Sequence, residues 1–403
     1  MFADTHLHPI MKYVHNERDN FWKSFSGQVR ILALLNNVVG IPAFSQSDMR
    51  RLAMGNFQII FCALHPPEQQ IMFTPHAGPI GAAVDEVAEQ IISIPKHVIR
   101  ACREPSYDHF KQLDKELKEL IAKQILSRKL KVKGKKRYCK YEIVKNFDEV
   151  KEIIEFNTSQ DAEFKIAVVL TIEGLHSLGR GHVIFNNNPN PHDISDEEFM
   201  LRIDRVKGIT NADGHGWQQS PLIINITHAF DNSICGHAQA LSEAMRKGLF
   251  DYAEEFDGPR RGLNQSLSPF GKKIIKRMLN IDENPAGRRI IPDIKHMSTA
   301  TRRDYYAIID AHNTNHPNDK IPVIMSHAAV NGKVSIDENN YDPTDSEGAY
   351  KMETHPIDKI ETCFNPFSIN LYDDEIIRIH ETHGLIGIIM DQRVLAGGKK
   401  VDL

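Results

Sequence analysis

The sequence has few cysteines, and their spacing argues against two kinds of site. The 403 residues contain five cysteines, at positions 62, 102, 139, 235 and 363, and no C-x-x-C spacing. An odd number of widely separated cysteines is unlike a disulfide framework and unlike a zinc site built from thiolates. We therefore expect any metal ligands to be histidines and carboxylates.

Long hydrophobic runs and an excess of positive charge are also lacking. No apolar stretch approaches the roughly 20 residues that a membrane span needs, and the first residues do not resemble a signal peptide. The net charge is −4 and the sequence pI about 6.6, which gives no electrostatic reason to expect a nucleic acid or an anionic membrane as partner. We expect a cytoplasmic protein with neither partner, and a homo-oligomer is left open.

What is present begins at the N-terminus, with the stretch Asp4-Thr5-His6-Leu7-His8-Pro9. In a β-strand the side chains at positions i and i+2 point the same way, so His6 and His8 would face one point. Two imidazoles so placed suit a divalent metal ion. The structural alternative, a chance spacing among 20 histidines, is left open by this pair alone.

Further apolar runs have the length and composition of buried strands and alternate with helical patterns. The runs lie at 58–64, 165–172, 221–226, 289–294, 321–325 and 385–390. Strand followed by helix, without an antiparallel block, predicts a parallel sheet, and the number of repeats favours a TIM-type (β/α)8 barrel in a single domain over 1–403. We expect a helical insertion after strand 2, at about 80–160, with helices at 84–94 and 109–126, and a long loop at 331–366. The basic segment 128–140 of the insertion is interpreted as a solvated hairpin or loop, with a phosphate or nucleic-acid patch as the alternative. A further short apolar run lies at 31–35, and Ser268 followed by Pro269 predicts the start of a helix.

Chemically useful residues follow these strands directly. They are Glu173, His228, His296, His327 and Asp391. Because all strands of such a barrel open on one face at their C-terminal ends, His6, His8, Glu173, His296 and His327 can converge there. Imidazoles and a carboxylate are typical zinc ligands, and a carboxylate can bridge two ions.

The ordered set of short motifs resembles the membrane dipeptidase family (renal dipeptidase, peptidase M19) of the amidohydrolase superfamily. The motifs that carry the resemblance are residues 4–9, 171–174, 226–228 with Asn232, 262–263, 267–271, 293–298 and 322–327. They follow the family order over nearly the whole chain.

The resemblance implies a barrel with two divalent metal ions, expected to be zinc. It implies that His6 and His8 bind the first ion, that Glu173 bridges both, and that His296 and His327 bind the second. His228 matches the family histidine that contacts the substrate carbonyl, so Glu173 and His228 would be the catalytic residues. The implied activity is hydrolysis of an amide or peptide bond in a small substrate such as a dipeptide.

The chain departs from the family pattern in three places. The family has His-x-Asp at the opening strand, where this chain has His-x-His. The family arginine that binds the substrate carboxylate corresponds to Ile369, which cannot replace a guanidinium. The eighth strand, with its metal-binding aspartate, is apparently absent, because only seven strands are found and Asp391 follows the seventh. We interpret this as a missing C-terminal part; a different closure or a partner chain is the alternative.

The sequence therefore predicts a dipeptidase-like metallohydrolase. Two alternatives stay open at this point: a metallo-phosphoesterase, because His-x-His openings occur in such barrels too, and a catalytically inactive barrel that is kept for binding.

Overall fold

The computed structural model describes residues 2–10, 21–22, 47–72, 96–104, 106–181, 193–210, 214–240, 261–338 and 368–390. The chain divides into two compact units, 1–172 and 173–403, which are described in turn. The predicted strand at 31–35, the predicted helix at 84–94, most of the predicted 331–366 loop and Asp391 lie outside the described residues. The expectation of a single domain stays a prediction.

In the first unit, three parallel strands form the base of the fold. β1 (Phe2–Leu7) pairs with β2 (Phe57–Leu64), and β2 pairs with β5 (Glu163–Glu173). Helix α1 (Met49–Met54) leads into β2. Nearly every residue of β5 is buried, as expected for a strand covered on both faces.

The insertion between β2 and β5 contains helices and a hairpin. Its helices are α2 (Gln69–Met72), α3 (Lys96–Arg103), α4 (His109–Ala122), a 3-10 turn (Lys123–Ile125) and α5 (Phe147–Ser159). The helix predicted from residue 109 is confirmed. The basic segment 128–140 forms an antiparallel hairpin of β3 (Arg128–Val132) and β4 (Lys135–Val144), and β4 also pairs with β5 in parallel. The insertion is therefore not purely helical, because Leu130 and Val132 alternate with lysines at the two-residue period of a strand.

In the second unit, strands and helices alternate. After a 3-10 turn (Leu175–Leu178), the order is α6 (Asp196–Val206), β6 (Ile223–Asn225), α7 (Pro269–Leu279), β7 (Ile291–Asp293), α8 (Thr299–Asn315), β8 (Ile324–Ala328), a 3-10 turn (Ile336–Glu338), α9 (Asp373–Glu381) and β9 (Leu385–Ile388). Strands β6 to β9 pair in parallel with their neighbours.

The parallel strands follow one another in the sheet in the order β1-β2-β5-β6-β7-β8-β9. Chain order with parallel pairing is the arrangement of a TIM-type α/β barrel, so the predicted fold class is confirmed. The seven predicted barrel strands are all present. The predicted absence of an eighth strand concerns residues 391–403, which lie outside the described part. None of the described helices combines the length and the hydropathy required to cross a bilayer.

Serine side chains begin two helices of the second unit. The Ser268 hydroxyl accepts a hydrogen bond from the backbone N–H of Gly271, and Pro269 occupies the first helical position, as predicted. Ser298 accepts from Thr301 in the same way and starts α8 two residues after His296. The two turns thus hold the loops that follow β6 and β7 at defined angles.

A buried ion pair connects α8 to α9. The Arg302 guanidinium contacts the Glu375 carboxylate at 2.8 Å, and both side chains are 1% exposed. Arg302 also donates to the backbone oxygens of Ser368 and Asn370, and Tyr306 donates its hydroxyl proton to Glu375 at 2.5 Å. The pair therefore fixes residues 368–375 against the helix that follows β7.

Replacing Arg302 by methionine should lower the free energy of unfolding by about 3–5 kcal/mol, because Glu375 would remain as a buried acid without its cation. Urea denaturation measures the loss. The neighbouring Arg303→Met variant is the matched control, because Arg303 pairs with Asp337 at the surface and should cost less than about 1 kcal/mol. Equal losses in the two variants would contradict this role of the buried pair.

Candidate metal site

Glu173 lies at the end of β5, and its carboxylate faces three histidines. Its Oε1 atom is 3.4 Å from Nε2 of His296, 3.8 Å from Nε2 of His228 and 3.9 Å from Nε2 of His327. The ring centroids of His296 and His228 are 4.7 Å apart, and those of His296 and His327 are 5.3 Å apart. Four of the predicted site residues, all in the second unit, therefore come together.

The chain immediately after Glu173 turns in a conformation that requires glycine. Gly174 has a φ of 86°, and an added Cβ would lie 2.3 Å from Nδ1 of His176. The Gly174 N–H donates to the backbone oxygen of Asn225 at the end of β6. The Glu173 carboxylate is thereby held at the end of the strand, with its side chain 4% exposed.

His228 follows β6 in a loop that one amide side chain organises. Asn232 donates to the backbone oxygen of Ile226 at 2.7 Å and accepts from the N–H groups of Ile234 and Cys235. His228 is the most accessible of the three histidines, with its side chain 18% exposed. It is therefore the one of the three that solvent reaches most easily.

His296 is buried and has a strained backbone. Its φ is 69°, in the left-handed region that non-glycine residues seldom occupy, and such strain concentrates at functional sites. Burial is the main cause that lowers the pKa of His296 from 6.5 to about 3, with Glu173 acting in the opposite direction. At neutral pH the ring is therefore uncharged and its lone pair is available to a cation.

Hydrogen bonds to backbone and side chains orient the ends of β7 and β8. Asp293 is fully buried and accepts from the N–H groups of Lys295 and Ser326. The Ser326 hydroxyl lies 2.8 Å from Nδ1 of His327. With the proton on that Nδ1, the lone pair is on Nε2, which faces Glu173, an arrangement common around metal-binding histidines.

The residues of this second unit fit a divalent cation. Nδ1 of the buried His296 has no hydrogen-bond partner among the described residues, and its Nε2 converges with two other imidazoles on one carboxylate oxygen. Imidazole nitrogens and a carboxylate are a donor set that zinc and similar ions accept.

His6 and His8 form a second group, in the first unit. Their rings meet edge to face with centroids 4.9 Å apart, as the i, i+2 spacing predicted. Nδ1 of His8 lies 3.2 Å from the backbone oxygen of Ala63, which places the proton on Nδ1 and leaves Nε2 as the ligand atom. The prediction that this pair shares ions with Glu173 stays a prediction.

His65 is a member of this group that sequence reasoning missed. Register pairs Leu7 with Cys62, so the residues at 63 and 65 point to the same face as His8. The His65 ring is buried, with its centroid 5.3 Å from that of His8. The signal is present in the sequence, since His65 follows the strand-like run 58–64 directly, as the other candidates follow theirs.

A buried carboxyl group holds His65 in place. Glu116 on α4 accepts the His65 backbone N–H at 2.8 Å and is 1% exposed. Burial raises the pKa of Glu116 to about 8, against which the hydrogen bonds from His65 and Gln112 act. Glu116 therefore keeps its proton at neutral pH.

The comparisons with known proteins add little to this geometry. No family model matches the chain, and no curated protein matches it. A solved structure described as dipeptidase AC, a metallopeptidase of family M19, is similar over 94% of this chain and 74% of its own length. The identity is 12% and the TM-score 0.42. Membership in the M19 family stays a prediction.

The Glu116 carboxyl predicts a pH dependence of stability. Because its folded pKa of about 8 exceeds the ordinary value of 4.5, the folded state holds a proton that the unfolded state releases. The free energy of unfolding should fall as pH rises from 4.5 to 8, by at most about 1.4 kcal/mol per pH unit for one proton.

The Glu116→Gln variant should lack this contribution and be more stable than the unmodified protein at pH 8. Urea denaturation at several pH values gives the difference between the two slopes. Glu119→Gln on the same helix is the control, because the Glu119 side chain is 38% exposed and pairs with Lys123. A slope unaltered in Glu116→Gln would show that Glu116 does not hold the proton.

Proposed function

We propose that this protein is a metal-dependent hydrolase that cleaves an amide or peptide bond in a small substrate, as M19 dipeptidases do. The observation that carries the proposal is the convergence of three imidazole Nε2 atoms on Oε1 of Glu173 within 3.9 Å. The M19-like order of the sequence motifs supports it independently. The proposed metal ligands are His6, His8, Glu173, His296 and His327.

In this proposal, Glu173, His296 and His327 hold a divalent cation, expected to be zinc. Such an ion would lower the pKa of a water molecule and polarise the carbonyl of the substrate. His228 points its Nε2 toward the same place and would donate a hydrogen bond to the carbonyl oxygen as negative charge develops there. The second oxygen of Glu173 is the candidate acceptor for a proton from the attacking water.

The test of the metal site combines elemental analysis with hydrolysis assays. Glu173→Ala and His296→Ala should each lose metal and lose at least about 10²-fold in hydrolytic rate, the scale expected when stabilisation of a developing charge is removed. His316→Ala is the control, because His316 is an exposed histidine on the remote end of α8. Dipeptides, their C-terminal amides and phosphate esters form the substrate panel.

The outcomes separate the candidate functions. Hydrolysis of phosphate esters alone would replace the proposal by a metallo-phosphoesterase. Bound metal without hydrolysis of any class would favour an inactive barrel that is kept for binding. If the metal content were unchanged in Glu173→Ala and His296→Ala, these two residues would not be metal ligands and the proposed site would be wrong.

A second measurement addresses the number of ions. If His6 and His8 bind a separate ion, the double variant His6→Ala/His8→Ala should retain one ion per chain where the unmodified protein retains two. Two neutral ligands are lost and the second set, Glu173, His296 and His327, keeps its donors. The same count in both proteins would contradict the two-ion prediction and leave the single site in place.

A further inference from the structure

The hairpin of β3 and β4 carries the densest positive charge of the sequence. Residues 128–140 include eight lysines and arginines and no acidic residue, in a chain whose net charge is −4. Seven of these cations fall into two sets. Lys135 and Arg137 contact Asp161, and Lys140 contacts Glu142 and Glu163, so these three cations are paired with carboxylates.

Four exposed lysines form the other set: Lys129, Lys131, Lys133 and Lys136. Among the described residues, no carboxylate lies within ion-pair distance of any of them. Leu130 and Val132 point to the opposite face of β3 and are buried there. We call Lys129, Lys131, Lys133, Lys136 and Tyr138 the cationic face.

The strand register places like charges opposite each other on this face, which lowers the stability of the hairpin. Lys131 lies directly opposite Lys136, and Lys129 lies opposite Tyr138. Like charges directly across a strand pair destabilise it. Glu163 lies opposite Tyr138 on the other side of β4, but no described carboxylate is within ion-pair distance of Lys131 or Lys136, so the hairpin alone gives no stability reason for this pair.

Protection of a sheet edge explains only part of the arrangement. Lysines on an edge strand block pairing with another chain, and β3 pairs with β4 alone in the described residues. β4 pairs on both sides and is not an edge. Edge protection therefore explains the lysines at 129 and 131, but it does not explain why Lys136 and Tyr138 occupy the exposed face of β4.

An aromatic ring lies within the cationic face. Tyr138 is 51% exposed, and Nζ of Lys129 is 5.2 Å from its ring centroid. Cationic side chains around an exposed aromatic ring are the combination that contacts phosphates and stacks on bases of single-stranded nucleic acid. A membrane surface is less well matched, because the tip of the hairpin, Lys133-Gly134, offers no apolar side chain for insertion.

We propose that the cationic face binds single-stranded nucleic acid without sequence preference, with its lysines on the phosphates and Tyr138 stacked on a base. The proposal is independent of the hydrolase site. The expectation that nucleic acid is not a partner rested on the net charge, which averages over the whole chain. Fields are screened over about 10 Å at 0.1 M salt, so the local charge decides what this face attracts.

The experiment measures the fluorescence anisotropy of a labelled oligo(dT) of 15 nucleotides, titrated with the full-length protein. We expect a Kd on the order of micromolar at about 50 mM salt. With four lysine contacts, the plot of log K against log salt should have a slope of about −3. Tyr138→Ala should weaken binding about tenfold through the lost stacking.

Charge reversal tests the location of binding. Lys131→Glu/Lys136→Glu should weaken binding more than about tenfold, since two phosphate contacts become repulsions. Lys273→Glu/Lys276→Glu is the matched control: it changes the net charge equally at two exposed lysines of α7. Circular dichroism and melting temperature establish that each variant is folded. Glutamates at positions 131 and 136 also keep a charge on the hairpin, so edge protection is preserved.

Several results would overturn the proposal. They are no binding at about 50 mM salt, equal binding by both double variants, an affinity for the duplex equal to that for the single strand, and tighter binding to vesicles of anionic lipid than to the oligonucleotide. The last result would assign the face to a membrane surface. Metal content and hydrolysis are not read in this experiment, so its failure is separate from failure of the hydrolase proposal.

Discussion

The site depends on one electrostatic constraint: the Nε2 atoms of three imidazoles each lie within 3.9 Å of one oxygen of the Glu173 carboxylate, in a largely buried place. Because His296 is held neutral by burial, it does not bring a proton that could be shared with Glu173 at neutral pH. Electron-rich atoms so arranged repel unless a cation lies between them. The fold maintains an arrangement that is favourable for a bound ion and unfavourable by itself.

Local strain and buried hydrogen bonds maintain that arrangement. Gly174 and His296 both adopt positive φ angles, and a non-glycine residue in that region costs on the order of 1–3 kcal/mol. Asp293 joins the ends of β7 and β8 by accepting two backbone N–H groups. These contacts hold the turn that carries His296, just after β7, and the strand that carries His327 against each other.

Most of the second-unit group could be predicted because it follows from local rules. A buried apolar run identifies a strand, parallel strands end on one side, and the next polar residue is therefore placed there, as for Glu173, His228, His296 and His327. Helix starts at Ser268 and Ser298 follow the same kind of local rule. The pairing of Arg302 with Glu375 could not be predicted, because 73 residues separate the two and no periodicity connects them.

The hairpin and His65 differ in how far local rules reach. The basic composition of 128–140 predicts a solvated hairpin or loop, and the alternation of Leu130 and Val132 with lysines distinguishes the hairpin from the loop. His65 lies beside His8 only because of the register between β1 and β2, which cannot be determined from neighbouring residues in the sequence. The prediction that His6 and His8 share metal ions with Glu173 has a similar limit. The alternation of side chains along a strand gives the direction in which each histidine points, but not the distance between its ligand atom and the Glu173 carboxylate.

The region around Ile369 bears on substrate choice. Where the M19 pattern would have an arginine for the substrate carboxylate, Ile369 is 6% exposed. A guanidinium does reach this segment, but it belongs to Arg302, which donates to the backbone oxygens of Ser368 and Asn370 on either side. Its charge is already matched by Glu375, and its side chain is 1% exposed. Arg302 thus stabilises the fold with its charge already paired, and the aliphatic side chain of Ile369 cannot form the charged hydrogen bonds that a guanidinium would.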